Sequence, residues 1–264
     1  FFEAGAGIAT TLTTEGARNI IAGKVPELMT ASFAAGARWS EILETCNAIK
    51  DDHIESIIPE IRCLLADFFS ARKPFPLAVI GPGMGRSVFS RAVCMALFEG
   101  LRDFGISRAV IDGDGLYHFA EYLGQAKPLH EEVLITPHFL EASRIYGKSV
   151  EDIMKNRFAA AGELARLSKS IVLLKGPASI VSDGARWRIN TTGNPALATA
   201  GSGDVLCGII ASIASRKVSL FEAASIGAWL HGASSDIYVK QTGKNAMKAR
   251  DIIANLSEVL RNFS

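Results

Sequence analysis

The residues best placed to do chemistry lie at the join Ala200-Gly201-Ser202-Gly203-Asp204, inside the run Asn190–Ser215, NTTGNPALATAGSGDVLCGIIASIAS. Residues 190–203 are almost all small or hydroxylated, and residues 205–214 are apolar with small residues interleaved. A glycine-rich loop entering a buried helix leaves backbone N–H groups free at the helix start, where the helix dipole favours an anion. Gly201 and Gly203 allow close backbone approach to that anion. Asp204 falls in the first turn, at the mouth of the site. A carboxylate there is poorly placed to bind phosphate, but well placed to take a proton from a hydroxyl that attacks one. A plain helix cap would explain an isolated GxGD just as well. It would not require the long run of small residues ahead of it.

Further candidates recur just past short apolar runs. Leu77–Ile80 leads to Gly81-Pro82-Gly83-Met84-Gly85-Arg86-Ser87. Arg86 stands where a dinucleotide fingerprint needs glycine, and a Walker A loop fails on spacing and on its lysine. What remains is a glycine-rich turn at a strand end, where α/β proteins bind ligands. Arg108–Ile111 ends in Asp112-Gly113-Asp114-Gly115, whose carboxylates could hold Mg²⁺ or a substrate hydroxyl, or be two solvated turn residues. Glu132–Ile135 ends in Thr136-Pro137-His138, with Glu141 at the following helix start, and His138 is a ligand candidate by position. Ile171–Leu174 ends in Lys175-Gly176-Pro177-Ala178-Ser179, which suits a phosphate or nucleotide contact or is an ordinary strand end.

The elements that must position these residues alternate. Strands are expected at Gly7–Thr13 and Glu27–Ser32, then at the apolar runs just named. Helices are expected around Asn19–Ile21, over Trp39–Ile49, over His53–Phe69 with Pro59 as a kink and Lys73–Pro76 as its end, and from Ser87 to about Glu99. Ser149–Leu167, residues 205–214, Leu220–Tyr238 and residues 248–263 follow as helices. Ser179–Ser182 and Arg186–Asn190 flank Asp183-Gly184, a two-residue hairpin signal. Such βα units predict an α/β fold with a mainly parallel, doubly wound sheet and helices on both faces. Every candidate then shares one edge. Loops are short and no linker stands out, so residues 1–264 read as one domain.

Composition narrows the function. The 28 basic and 27 acidic residues nearly cancel, so nothing points to a nucleic-acid partner. Cys46, Cys63, Cys94 and Cys207 are scattered, as in reduced cytoplasmic proteins. No apolar run spans a bilayer. The apolar C-terminal helices suggest a homo-oligomer.

GPGMG, DGDGL, TPHFLEA, LLKGP and NPALATAGSGDVLCGII, in this order, resemble the ADP- or ATP-dependent NAD(P)H-hydrate dehydratases of the ribokinase-like superfamily. The corresponding family forms are GPGLG, DADAL, TPHPGE, KG and NPGMATGGTGDVLTG. The resemblance runs from about Gly5 to the end. It implies repair of NADHX and NADPHX by phosphorylation of the C6 hydroxyl from ADP or ATP, then loss of phosphate. It further implies Asp204 as the base and the amides of Gly201, Ser202 and Gly203 as the anion hole. Lys175, Gly176, Pro177, Ala178, Ser179, Asn194 and Gly203 would hold the nucleotide with Mg²⁺. Gly83, Gly85, His138 and Asp204 would meet the substrate. Phe139-Leu140 replaces the usual Pro-Gly, and Tyr117 stands where the family often has Asn. The family's first strand, loop and helix have no counterpart ahead of Phe1. The chain is expected to be the dehydratase part of a longer protein, with an epimerase fused or as partner, and to assemble as a tetramer. A vitamin-precursor kinase of the same superfamily and a non-catalytic nucleotide-binding subunit are the alternative expectations.

Overall fold

The computed structural model describes residues 1–32, 37–48, 51–72, 74–125 and 132–261. The ends expected at Ile49, Lys73 and residues 262–263 lie outside the described residues. Two short parallel strands, β1 (Thr10–Thr13) and β2 (Met29–Ser32), flank α1 (Glu15–Lys24). A second sheet holds β3 (Leu77–Ile80), β4 (Arg108–Ile111), β5 (Glu132–Ile135), β6 (Ile171–Leu174), β7 (Ile180–Ser182) and β8 (Trp187–Ile189), in that order. β3 to β6 run parallel, and β7 and β8 are antiparallel. This is the expected α/β architecture with a mostly parallel sheet.

Alternation along each strand feeds two cores. Ala109, Ile111, Val133, Ile135, Val172 and Leu174 pack into one, with α3 (Ile58–Ser70), α4 (Val88–Gly100), α5 (Asp114–Gly124), α6 (Phe139–Tyr146), α7 (Val150–Lys155) and α8 (Arg157–Ser168). Val110, Leu134, Leu173 and Val181 point the other way, onto α9 (Ser202–Ala214), α10 (Leu220–Thr242) and α11 (Ala249–Arg261). Both faces are therefore covered. The strand order does not reverse, however: the crossovers serve one face, and the C-terminal helices serve the other. α9 and α10 pack closely, because a side chain at Gly227 would meet Ile210 Cγ1 at 2.6 Å.

Three local expectations are corrected. His53–Phe69 is not one helix. A 3-10 helix over Asp51–Ser56 precedes α3, and Pro59 sits in the first turn of α3, where its missing N–H costs nothing. Ser149–Leu167 breaks at Asn156, whose side chain accepts from Ala159 N at 3.3 Å and caps α8. The β7–β8 turn spans residues 183–186, because Asp183 Oδ1 accepts from Ala185 N and Arg186 N, both at 3.0 Å. The Trp39–Ile49 helix is α2 (Ala37–Ala48). Among the described residues no helix is long and apolar enough to cross a membrane.

Candidate active site

Parallel register builds the site. Ile80 pairs with Ile111, Ile111 with Ile135, and Ile135 with Val172. Gly81, Asp112 and Thr136 therefore emerge side by side past the strand ends. The ladder runs on, with Asp112 N donating to Ile80 O at 3.1 Å, Thr136 N to Ile111 O at 3.2 Å and Lys175 N to Pro137 O at 2.8 Å.

At the centre is a buried ion pair. Asp112 is only 3% exposed, and its Oδ1 accepts from Lys175 Nζ at 2.6 Å and Thr136 Oγ1 at 2.7 Å. Its Oδ2 accepts from Cys207 Sγ at 3.2 Å. Burial alone would raise the Asp112 pKa, but the charge and hydrogen bond of Lys175, with the bonds from Thr136 and Cys207, hold it below the ordinary value. Burial likewise works against charged Lys175, yet Asp112 and Glu141 keep its pKa above the usual lysine value. Glu141 Oε2 lies 3.9 Å from Lys175 Nζ. Burial, then the Asp112 charge, pushes the Cys207 thiol far up, so it stays protonated and donates.

α9 delivers the loop onto this pair. Gly201 caps α9 in the left-handed region at φ 82°, which a glycine adopts without strain. A side chain at Gly203 would lie 3.5 Å from Asp112 Oδ2 and 3.7 Å from Lys175 Nζ, so bare backbone faces the pair. The Ser202 amide donates to Thr199 O at 3.2 Å, which leaves the amides of Gly201, Gly203 and Asp204 without an acceptor among the described residues. The expected anion hole thus loses Ser202. Its hydroxyl also turns away, to His231 Nε2 at 3.1 Å, while that nitrogen lies 3.0 Å from Ser202 O. Burial lowers the His231 pKa to about 4, so the ring is neutral and holds the loop by hydrogen bonding. Asp204 is exposed and lines a cleft of about 220 Å³ with Phe1, Val205, Gly208 and Ile253. Partial burial and the Asp112 charge raise its pKa, with Lys175 opposing.

The other expected residues divide between this centre and its surroundings. His138 caps α6 reciprocally: Glu141 N donates to His138 Nδ1 at 3.2 Å, and His138 N donates to Glu141 Oε2 at 2.9 Å. The ring remains about half exposed beside the Lys175 pair. Gly176 N donates to Ser179 Oγ at 3.2 Å, closing the loop that contains Pro177 and Ala178. Gly176 is packed under Phe139, since a side chain there would meet Phe139 Cζ at 2.6 Å. Phe139 thus joins the His138 turn to the Lys175 loop. Gly83 and Gly85 are left-handed, with φ 68° and 75°. Gly85 N donates to Asp114 Oδ2 at 3.0 Å, and Arg86 Nε donates to Asp114 Oδ1 at 2.9 Å. Asp114 therefore holds the glycine turn while remaining partly exposed, and buried Asp112 serves other partners, so the two carboxylates do not share a site. Among the described residues no three acidic, His or Cys side chains converge as a metal group. Asn194 stands apart. Its Oδ1 accepts from Ala196 N at 3.0 Å and its Nδ2 donates to Asp236 Oδ1 at 2.9 Å, so its side chain is used by the fold.

Sequence reasoning missed Thr136 and Cys207 as holders of Asp112, His231 as holder of the loop, and Asp236. Cys207 stands three residues after Asp204, hence on the same helix face, and that spacing was the available signal.

The NAD(P)H-hydrate dehydratase family profile matches residues 2–258. This chain belongs to that family. A bifunctional NAD(P)H-hydrate repair enzyme of Moorella thermoacetica is 33% identical over 99% of the chain, which spans 45% of that protein. An ADP-dependent (S)-NAD(P)H-hydrate dehydratase of Neisseria meningitidis is 36% identical over 77% of the chain and 69% of its own length. The chain thus spans about half the length of the bifunctional members of the dehydratase family that it matches. A Bacillus subtilis ADP/ATP-dependent NAD(P)H-hydrate dehydratase, co-crystallized with ATP/Mg²⁺, superposes with a TM-score of 0.75 at 21% identity, covering 100% of this chain and 82% of that one. At that identity the likeness is one of fold, and it supports a ribokinase-like architecture for this member of the dehydratase family.

Proposed function

We propose that the chain repairs hydrated nicotinamide cofactors, dehydrating (S)-NADHX and NADPHX to NADH and NADPH with ADP or ATP as phosphoryl donor. The observation that carries this reading is the glycine-backed helix start facing Asp112–Lys175, with the raised-pKa carboxylate of Asp204 at its mouth. Asp204 takes the proton of the C6 hydroxyl. That oxygen bonds to the terminal phosphorus of the nucleotide as the nucleotide's own bridging P–O bond breaks. The free amides of Gly201, Gly203 and Asp204 hold the phosphoryl oxygens, and Lys175, pinned by Asp112, supplies fixed positive charge. Phosphate then leaves C6 and a proton leaves the adjacent C5, forming the C5=C6 double bond of the reduced cofactor.

Lys175 and the Gly176–Ser179 loop meet the nucleotide. Gly83, Gly85 and His138 meet the hydrated dinucleotide. Mg²⁺ fits here as an ion carried mainly by nucleotide phosphates, where it neutralises their charge, because it needs only one or two carboxylates from the protein. The reading includes a cytoplasmic location, a homo-oligomer of four copies and an epimerase, fused or separate, that supplies the reactive epimer. The bifunctional relatives motivate the last of these, and light scattering tests the assembly.

The decisive assay follows absorbance near 340 nm with NADHX, Mg²⁺ and either ADP or ATP. A nucleotide-dependent rise is expected. Asp204→Asn should bind nucleotide normally and turn over ~10²–10⁴-fold more slowly. Near-normal turnover in that variant removes Asp204 from the role of base. Bound nucleotide with no rise in the unaltered protein removes the dehydratase reading.

A further inference from the structure

A second cluster lies beside the glycine turn and takes no part in phosphoryl transfer. Tyr117, one turn into α5, has two guanidinium groups close to its ring. Arg86 Cζ is 4.7 Å from the ring centroid and Arg144 Cζ is 5.0 Å from it. Both arginines are exposed, as is the ring. Among the described residues one carboxylate serves the group. Asp114 accepts from Arg86 Nε and anchors the same turn through Gly85 N. Arg144 has no carboxylate within ion-pair distance among the described residues. Two like charges therefore share one ring with a net positive surplus. The ring quadrupole holds cations near it but does not neutralise them.

The cluster is tied to the catalytic edge through the backbone. A side chain on Gly81 would lie 1.9 Å from Asp112 O and 2.5 Å from Gly115 N, so the glycine turn rests directly on the Asp112–Gly115 turn. Asp112 faces Gly203 and Lys175, while Asp114, two residues on, reaches Arg86. Tyr117 is three residues further along α5, about 4.5 Å of helix rise. A substrate that reaches the Gly81–Gly85 turn, which rests on the Asp112–Gly115 turn and is tied to Asp114, lies next to this ring. Planar guanidinium forks match phosphate oxygens, and a ring held between two of them restricts their motion.

We propose that Arg86, Tyr117 and Arg144 form a phosphate-binding subsite for the dinucleotide substrate. This rests on the dehydratase reading above. Two phosphates of such a substrate share the required chemistry: the pyrophosphate common to both hydrates and the 2′-phosphate of NADPHX alone.

The test measures kcat and KM for NADHX and NADPHX in the unaltered protein, Arg144→Gln and Arg86→Gln, with thermal unfolding as the check on folding. Loss of one charge-assisted contact should raise KM about 10-fold or more while kcat stays within about twofold. A rise for NADPHX alone assigns the subsite to the 2′-phosphate, and a rise for both hydrates assigns it to the pyrophosphate. Unchanged KM for both hydrates in both variants overturns the subsite. If the unaltered protein turns over neither hydrate, the dehydratase reading fails, and the subsite is judged by calorimetric titration with NADPH, NADH and inorganic pyrophosphate. Weaker binding of any of them by Arg144→Gln then supports it, and equal or absent binding overturns it.

Discussion

Two charges of opposite effect tune Asp204, and their signs can be separated. As the base proposed above, Asp204 must be ionised, so kcat/KM is expected to fall as pH drops through its pKa. Partial burial and then Asp112 raise that pKa, so the acid limb lies above the ordinary aspartate range, while Lys175 opposes the shift. Asp112→Asn removes one raising influence and frees Lys175 from its partner. The acid limb of the variant should therefore move to lower pH, whatever happens to its maximum rate. Rate profiles from about pH 4 to about pH 8 on both proteins check this. An unmoved limb would mean that some other group controls it. The same ion pair has a stability signature. Asp112 has a lowered folded-state pKa, so its contribution is complete above the unfolded aspartate value and is lost as pH falls through the lower folded one. Lys175 has a raised folded-state pKa, so its share is complete below the unfolded lysine value and is lost only as pH rises through the higher folded one. Removing one partner is a sharper test, since Lys175→Met leaves a buried carboxylate unpaired. About 3–5 kcal/mol should be lost near neutral pH, read by denaturant unfolding.

Close backbone contacts between elements set where these residues sit. At Gly81 a methyl group would strike Asp112 O at 1.9 Å from a left-handed φ of 121°, and at Gly232 it would strike Thr192 Oγ1 at 2.3 Å and the backbone carbon at 2.6 Å. Gly81→Ala and Gly232→Ala should each cost about 2–4 kcal/mol, a fall in Tm of about 5–15 °C. Gly124→Ala meets open space at the end of α5 and should be neutral or slightly stabilising. Calorimetry on the three variants reads the contrast, and equal Tm values would refute it. The β-branched runs of β3 to β6 were legible in the sequence because buried parallel strands are short and uniformly apolar. The candidates past their ends were legible for the same reason. The break at Asn156 was not, because the apolar pattern of α7 and α8 passes through it while a single side chain caps the second helix. The length of the β7–β8 turn was hidden in the same way, by Asp183 satisfying two backbone amides. The bond from His231 to Ser202 joins residues far apart in the chain, and no local pattern records it; the spacing from Asp204 puts Cys207 on the same helix face but does not name distant Asp112 as its partner.

Across the molecule, packing is uneven. β4 to β6 are enclosed between two cores, and Ala109, Val110, Ile111, Leu134 and Ile135 are fully buried. From Gly5 to Ser32, by contrast, no residue is buried, and Ile8, Ile20 and Met29 are 77%, 62% and 51% exposed. The β1–α1–β2 unit is therefore held by its own parallel pairing, from Thr10–Met29 to Thr13–Ser32, with little apolar burial beneath it. Local opening costs least where few apolar contacts must be broken. Hydrogen exchange should accordingly be fast across residues 10–32 and slowest in β4 and β5, with the two regions separated by several orders of magnitude in protection. The homo-oligomer proposed above would add a concentration term if it formed through these exposed side chains. Assembly that covers Ile8, Ile20 and Met29 protects residues 10–32 more strongly at high protein concentration than at low, and leaves β4 and β5 unchanged. Exchange measured by mass spectrometry across a dilution series separates the two contributions. Protection of residues 10–32 equal to that of β4 at the highest dilution would contradict the ranking drawn from burial. Slow exchange there only in concentrated samples would place the subunit contact on this face.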